Sequence, residues 1–266
     1  MNCKNCGTEL RANEGFCGWC GAKVINKRIT FKTIFTEFLT AIGWDNKYFF
    51  TLKSLIVHPQ VVFKEYLDGT RKKYVNPFTF FAIGAAITVF VFTQFADEYV
   101  QRANYISDKN YELIYNKIIE ITEKEAKVSL EEFIEIQKNI SSTGLRSLLK
   151  YFTPLSFILL PFYALIALFV FKKPYNFGEH FVINAFVQGI TFIGITLFFV
   201  LSLSLHPSIF YLGSLFTIIY YIYAYARLYE YTLKKVILKL LKFIGITFVA
   251  CFLCLLLGFL IGILLK

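Results

Sequence analysis

The chain has 266 residues, of which 56% are apolar, 19% aromatic and only 17% charged; its net charge is +10 and its mean hydropathy +0.56. A soluble domain averages about 45–50% apolar and about 25% charged residues. This composition excludes an ordinary cytosolic enzyme, a disordered chain and a disulfide-stapled secreted module, and reads as an integral membrane protein with polar attachments.

The first element is a cysteine quartet, Cys3, Cys6, Cys17 and Cys20, spaced as two C-x2-C-G knuckles. Two intervening residues let one tight turn present both sulfurs to a single ion, and the following glycine (Gly7, Gly21) permits the left-handed backbone that closes it. Four thiolates suit a structural Zn2+ with no open coordination position. About twenty residues bury too little apolar surface to fold alone, so the metal supplies most of the folding free energy. Lys4, Arg11 and Lys23 offset part of the site's negative charge. Phe16 and Trp19 either cover their own knuckle or form a contact surface for a cytoplasmic protein partner.

Residues 29–43 carry Phe31, Ile34, Phe35, Phe38, Leu39 and Ile42 on one helical stripe, which either lies in the lipid interface or packs on the protein's own cytoplasmic side. Trp44 and Tyr48-Phe49-Phe50 suit a headgroup region. Helical pieces are expected near 50–57, ending at His58-Pro59, and near 60–68, ending at Gly69. Arg71, Lys72 and Lys73 then read as a topology signal and as contacts to anionic headgroups. Without a base-reading module, this positive charge argues for the lipid bilayer as partner and against nucleic acid.

Five windows, 77–96, 151–171, 181–204, 208–226 and 243–265, contain no Asp, Glu, Lys or Arg. A helix needs about 20 apolar residues to cross the hydrocarbon layer, and each window is that long. Placing the N-terminus in the cytoplasm puts 19 Lys and Arg residues inside and leaves 9 outside, as cytoplasmic loops prefer. The C-terminus then lies outside. The first span itself is expected to direct insertion, with no cleavable signal. The loop 97–150 is expected to form an external helical hairpin, its second helix started by the capping pattern Ser129 to Glu132.

The third window carries one polar stripe. His180, Asn184, Gln188 and Thr191 share a helix face, with Glu179 beside His180 at the cytoplasmic end. The stripe is either a path for a transported solute or a set of interhelical hydrogen bonds, and Glu179 with His180 is also the one acid–base pair an intramembrane enzyme could use. Tyr220, Tyr221, Tyr223 and Tyr225 fit an aromatic belt. Gly258 and Gly262 have the spacing for close helix approach, within the bundle or in a homo-oligomer. Cys251 and Cys254 read as small apolar residues inside the fifth span. No phosphate loop, HExxH, GxSxG or dinucleotide fingerprint is present, so no catalytic residues are assigned and the protein is expected not to be an enzyme.

The order of the quartet, Thr51-Leu52-Lys53-Ser54-Leu55, Pro59, Glu65-Tyr66-Leu67, Gly69, Arg71, Tyr74, Pro77 and the later Glu179-His180 resembles the bacterial membrane family called domain of unknown function 3667. That resemblance implies a zinc ribbon joined to a multi-span domain in the bacterial cytoplasmic (inner) membrane, and no known reaction. In span count and layout the chain also looks like the five-span Yip1-type proteins. The expected fold is all-α integral membrane, five transmembrane helices with an N-terminal cytoplasmic zinc ribbon: ribbon 1–24, juxtamembrane helical segment 25–76 and membrane domain 77–266. The expected function is a non-enzymatic membrane protein whose ribbon binds or organises a partner, with a small transporter or channel as the alternative.

Overall fold

The computed structural model describes residues 2–11, 15–24, 30–32, 46–122, 129–171 and 173–264, with the backbone alone at 106–109, 120–122 and 250–264. The chain divides into two compact units, Met1–Ala41 and Ile42–Lys266.

The first unit repeats one device. The amide of Cys3 donates to the Thr8 carbonyl (2.8 Å) and that of Gly7 to the Cys3 carbonyl (2.8 Å); Cys17 with Ala22 (2.8 Å) and Gly21 with Cys17 (2.9 Å) do the same. Both closures need a left-handed residue, and Gly7 and Gly21 adopt φ of 76° and 71°. Single antiparallel bridges, Asn2 with Glu9 and Phe16 with Lys23, flank the knuckles. Cys3, Leu10 and Cys17 are buried together, packed by Ala22 and Val24. From residue 33 onward, the amphipathic stripe expected over 29–43 lies outside the described residues.

The regular elements described in the second unit are helices: α1 (Asn46–Val57), α2 (Pro59–Leu67), α3 (Pro77–Thr122), α4 (Leu130–Phe171), α5 (Phe177–Ser204), a 3-10 turn at Pro207–Ile209, α6 (Phe210–Tyr229) and α7 (Leu233–Leu264). Prolines at 59 and 77 sit at helix starts, where a missing N–H breaks no bond of the helix they open. Asn176 opens α5 with a reciprocal cap: its side chain accepts from the Glu179 amide (3.0 Å), and the Glu179 carboxylate accepts from the Asn176 amide (2.7 Å).

Among the described residues, four helical stretches are long and apolar enough to cross a membrane: Pro77–Tyr105, Leu130–Phe171, Phe177–Ser204 and Pro207–Tyr229. The window 243–265 falls on α7, which is helical to Leu264. The described helices of the segment 97–150 are the continuations of α3 and α4 themselves. α3 and α4 run on from their apolar stretches without a break, so α3 reaches about 69 Å at 1.5 Å per residue. Ion pairing of Arg146 with Asp97 (3.0 Å), Asn104 donating to Ser142 (2.7 Å) and the Tyr115–Phe133 ring contact hold the two arms together. Ser129 does accept from the Glu132 amide (3.3 Å) at the start of α4.

α5 is the centre of the bundle. Of its apolar window 67% is buried, against 33% or less for the other three. Apart from one polar stripe the helix is apolar around its circumference, as suits a helix enclosed by others. Its crossing with α3 is close because both helices are small there: a Cβ at Gly84 would sit 3.0 Å from the Gly189 carbonyl oxygen, and one at Gly189 would sit 2.5 Å from the buried Phe80 ring. One turn on, the Thr88 and Thr196 hydroxyls meet at 2.8 Å. Gly189→Ala is expected to lower thermal stability in detergent by the 1–3 kcal/mol typical of overpacking, roughly. Gly245→Ala, where nothing lies within 4 Å, is expected to be neutral or stabilising. Circular-dichroism melting of both variants checks this.

Candidate functional site

The four cysteines converge. Their sulfurs lie within 4.8 Å of one another, with Cys3 to Cys20 at 3.7 Å and Cys6 to Cys17 at 3.7 Å, and none is in a disulfide. A tetrahedron of sulfurs about 2.3 Å from a central ion has edges of about 3.8 Å, so the quartet has the size and donor set of a four-thiolate metal site. Hydrogen bonds from the Ala22 amide and the Asn5 side chain hold the Cys20 thiol down to about 6, and Thr8 lowers Cys6. These two groups favour the thiolate that binds metal, whereas Cys17 is pushed up to about 11. Phe16 and Trp19 are 58% and 83% exposed.

The polar stripe of α5 is spent on side chains of α6. Asn184 donates to the Tyr225 hydroxyl (3.1 Å) and to the His180 carbonyl (2.8 Å), while its own side-chain oxygen accepts from Tyr221 (3.2 Å). Gln188 donates to Tyr221 (3.1 Å) and accepts from Thr191 (3.2 Å). The Tyr229 hydroxyl lies 3.4 Å from His180 Nε2. Glu179 accepts from the Asn176 amide in the helix cap, and His180 lies against Tyr229.

Tyr221, Tyr225 and Tyr229, at i, i+4 and i+8, thus form a ladder facing the stripe and not a belt. Their own spacing in the sequence, matched to 180, 184 and 188, was the signal that would have revealed this. The surroundings of Gly258, Gly262, Cys251 and Cys254 lie outside the described side chains.

α1 and α2 dock on this same end of the bundle, with Leu55, Val62 and Phe63 buried against Phe186, Val187 and Ala224. The joint between them explains two further tyrosines. The Leu55 carbonyl would normally accept from residue 59, but Pro59 has no N–H. Tyr220 supplies the missing donor (3.0 Å), and Tyr223 donates to the Val57 carbonyl (2.6 Å). Thr51 accepts from the Val75 amide (3.0 Å), and Glu65 accepts from Lys73 (2.6 Å) and Tyr74 (2.7 Å). These bonds hold the Glu65 carboxyl below its ordinary range, Lys73 foremost. Of the three expected headgroup contacts, Lys73 is therefore engaged within the protein and Arg71 lies over the Tyr66 ring at 5.9 Å. Lys72 is exposed.

Residues 45–89 match the family DUF3667, a protein of unknown function. The DUF3667 match covers α1, α2, their connection and the first part of α3, including Thr51, Pro59, Glu65 and Tyr74, whose bonds have just been described. No curated protein and no solved structure matches the chain, and the layout likeness to Yip1-type proteins gains no support.

A geometric metal site makes a simple demand. The purified chain is expected to hold one metal ion, and Cys17→Ser to hold close to none, as measured by elemental analysis against protein concentration.

Proposed function

We propose that this chain is a non-enzymatic, five-span protein of the bacterial cytoplasmic membrane whose N-terminal zinc ribbon binds a cytoplasmic protein partner. The observation that carries the reading is the pair of exposed aromatics, Phe16 and Trp19, displayed on knuckles whose fold depends on the four cysteines. An exposed tryptophan on a rigid support loses little conformational entropy on binding, and tryptophan is a common anchor of protein interfaces.

The charge-free window on α7 supports a fifth span, and the excess of Lys and Arg in alternate loops supports a cytoplasmic N-terminus with the C-terminus outside. Sulfur ligands in a tetrahedron suit zinc, and iron is the competitor that elemental analysis separates from it. The transporter reading has less support, because the stripe residues are bonded to each other and to the α6 tyrosines.

In a pull-down on the full-length protein, Trp19→Ala is expected to lose at least tenfold of a specific co-purifying protein while keeping its metal and its membrane insertion. Deletion of 1–24 is expected to lose that partner altogether. Retention of every co-purifying protein by both variants contradicts the proposal.

A further inference from the structure

A cavity of about 430 Å³ lies among α4, α5, α6 and α7. That is the size of a small-molecule site. No charged side chain lines it, and Phe171, Ile218 and Ile244 are among its apolar walls. Its polar lining is Tyr163, Gln188, Thr217, Tyr221, Tyr225 and Thr247.

Counting protons shows what this lining has to offer. Thr217 and Thr247 donate to carbonyls of their own helices, Gly213 (3.0 Å) and Phe243 (2.9 Å). Tyr221 donates to Asn184. Asn184 spends its two N–H groups on His180 and Tyr225. Tyr225 therefore receives a hydrogen bond, and among the described residues its own proton reaches no acceptor. Gln188 spends one N–H on Tyr221 and has a second in reserve. Tyr225 is 1% exposed. A buried donor without an acceptor is costly in apolar surroundings. Of the groups with these bonds, Tyr225 and Gln188 keep an unspent donor, in a lining that is otherwise mainly apolar.

We propose that this cavity binds an uncharged, lipid-soluble molecule that offers a carbonyl oxygen to the Tyr225 hydroxyl and the Gln188 amide, with its hydrocarbon tail among the apolar walls. An anionic headgroup is excluded by the lack of any cation in the lining. Phe171 stacked on Tyr225, with ring centroids 4.4 Å apart, gives the polar end a flat aromatic wall. Two membrane molecules carry the required chemistry, a quinone with a ring carbonyl and a neutral glyceride with an ester carbonyl. The site rests on the membrane reading of the helices and is independent of the ribbon and its partner.

The test uses the full chain in dodecyl maltoside, a detergent without a carbonyl. Three tritiated probes, decylubiquinone, dioctanoylglycerol and dodecylbenzene, are titrated by scintillation proximity. At least one carbonyl probe is expected to bind saturably near one per chain and at least tenfold tighter than dodecylbenzene. Binding of decylubiquinone alone assigns a ring carbonyl, and binding of dioctanoylglycerol alone assigns an ester. Tyr225→Phe is expected to weaken that binding about fivefold. Ile244→Trp, which fills the cavity from α7 without touching the hydrogen-bonded network, is expected to abolish it at unchanged melting temperature. Equal binding of all three probes, or carbonyl-probe binding unaffected by Ile244→Trp, overturns the proposal.

Discussion

A polar group inside a hydrocarbon layer has to find its hydrogen bonds within the protein, because no water is there to supply them. That constraint governs α5. The helix is enclosed by its neighbours and carries His180, Asn184, Gln188 and Thr191 along one face, so the helix packed on that face has to bring matching donors and acceptors. α6 does so with tyrosines one turn apart. Between helices in lipid there is little hydrophobic drive, since lipid tails are as apolar as leucine. What specifies the pairing is the hydrogen-bond ladder on one side of α5 and the close glycine and threonine contact with α3 on the other.

The same reasoning extends to the segment matched by the DUF3667 family. A proline joint between α1 and α2 interrupts the helix and leaves carbonyls without amide partners. Tyr220 and Tyr223, on the same helix as the ladder, satisfy them. α6 therefore serves two clients with alternate tyrosines, α5 on one side and the α1–α2 joint on the other. Glu65, Lys73 and Tyr74 close the connection toward α3, and Lys64 with Glu230 (2.9 Å) ties α2 to the end of α6. The matched segment is thus a fitted part of the helical unit, and Thr51, Pro59, Glu65 and Tyr74 within it are among the residues that make the joint.

Much of this was legible from residue spacing. Charge-free windows mark the apolar helices because ionised groups are excluded from hydrocarbon, and C-x2-C-G marks the knuckles because the metal geometry and the left-handed closing residue leave few alternatives. The stripe at 180, 184, 188 and 191 was visible for the same reason. Its partners were not, because tyrosine near the end of an apolar helix suits both the interface and a buried hydrogen bond, and only the facing helix decides between them. Lys73 looked like a lipid contact since nothing in the sequence reveals that Glu65 and Tyr74 fold back onto it. The unbroken arms of α3 and α4 were hidden because a change from apolar to polar residues marks a change of surroundings, not the end of a helix.

A double-mutant cycle across the α5–α6 contact tests most directly whether the ladder holds the bundle together. Melting free energies in detergent are measured for Asn184→Leu, Tyr225→Phe and the combination. If the two side chains satisfy each other in the apolar interior, the combined variant loses less than the sum of the single losses, with a coupling of about 0.5–3 kcal/mol. Additivity within about 0.3 kcal/mol would show that the two groups do not depend on one another, and would contradict a bundle specified by that contact.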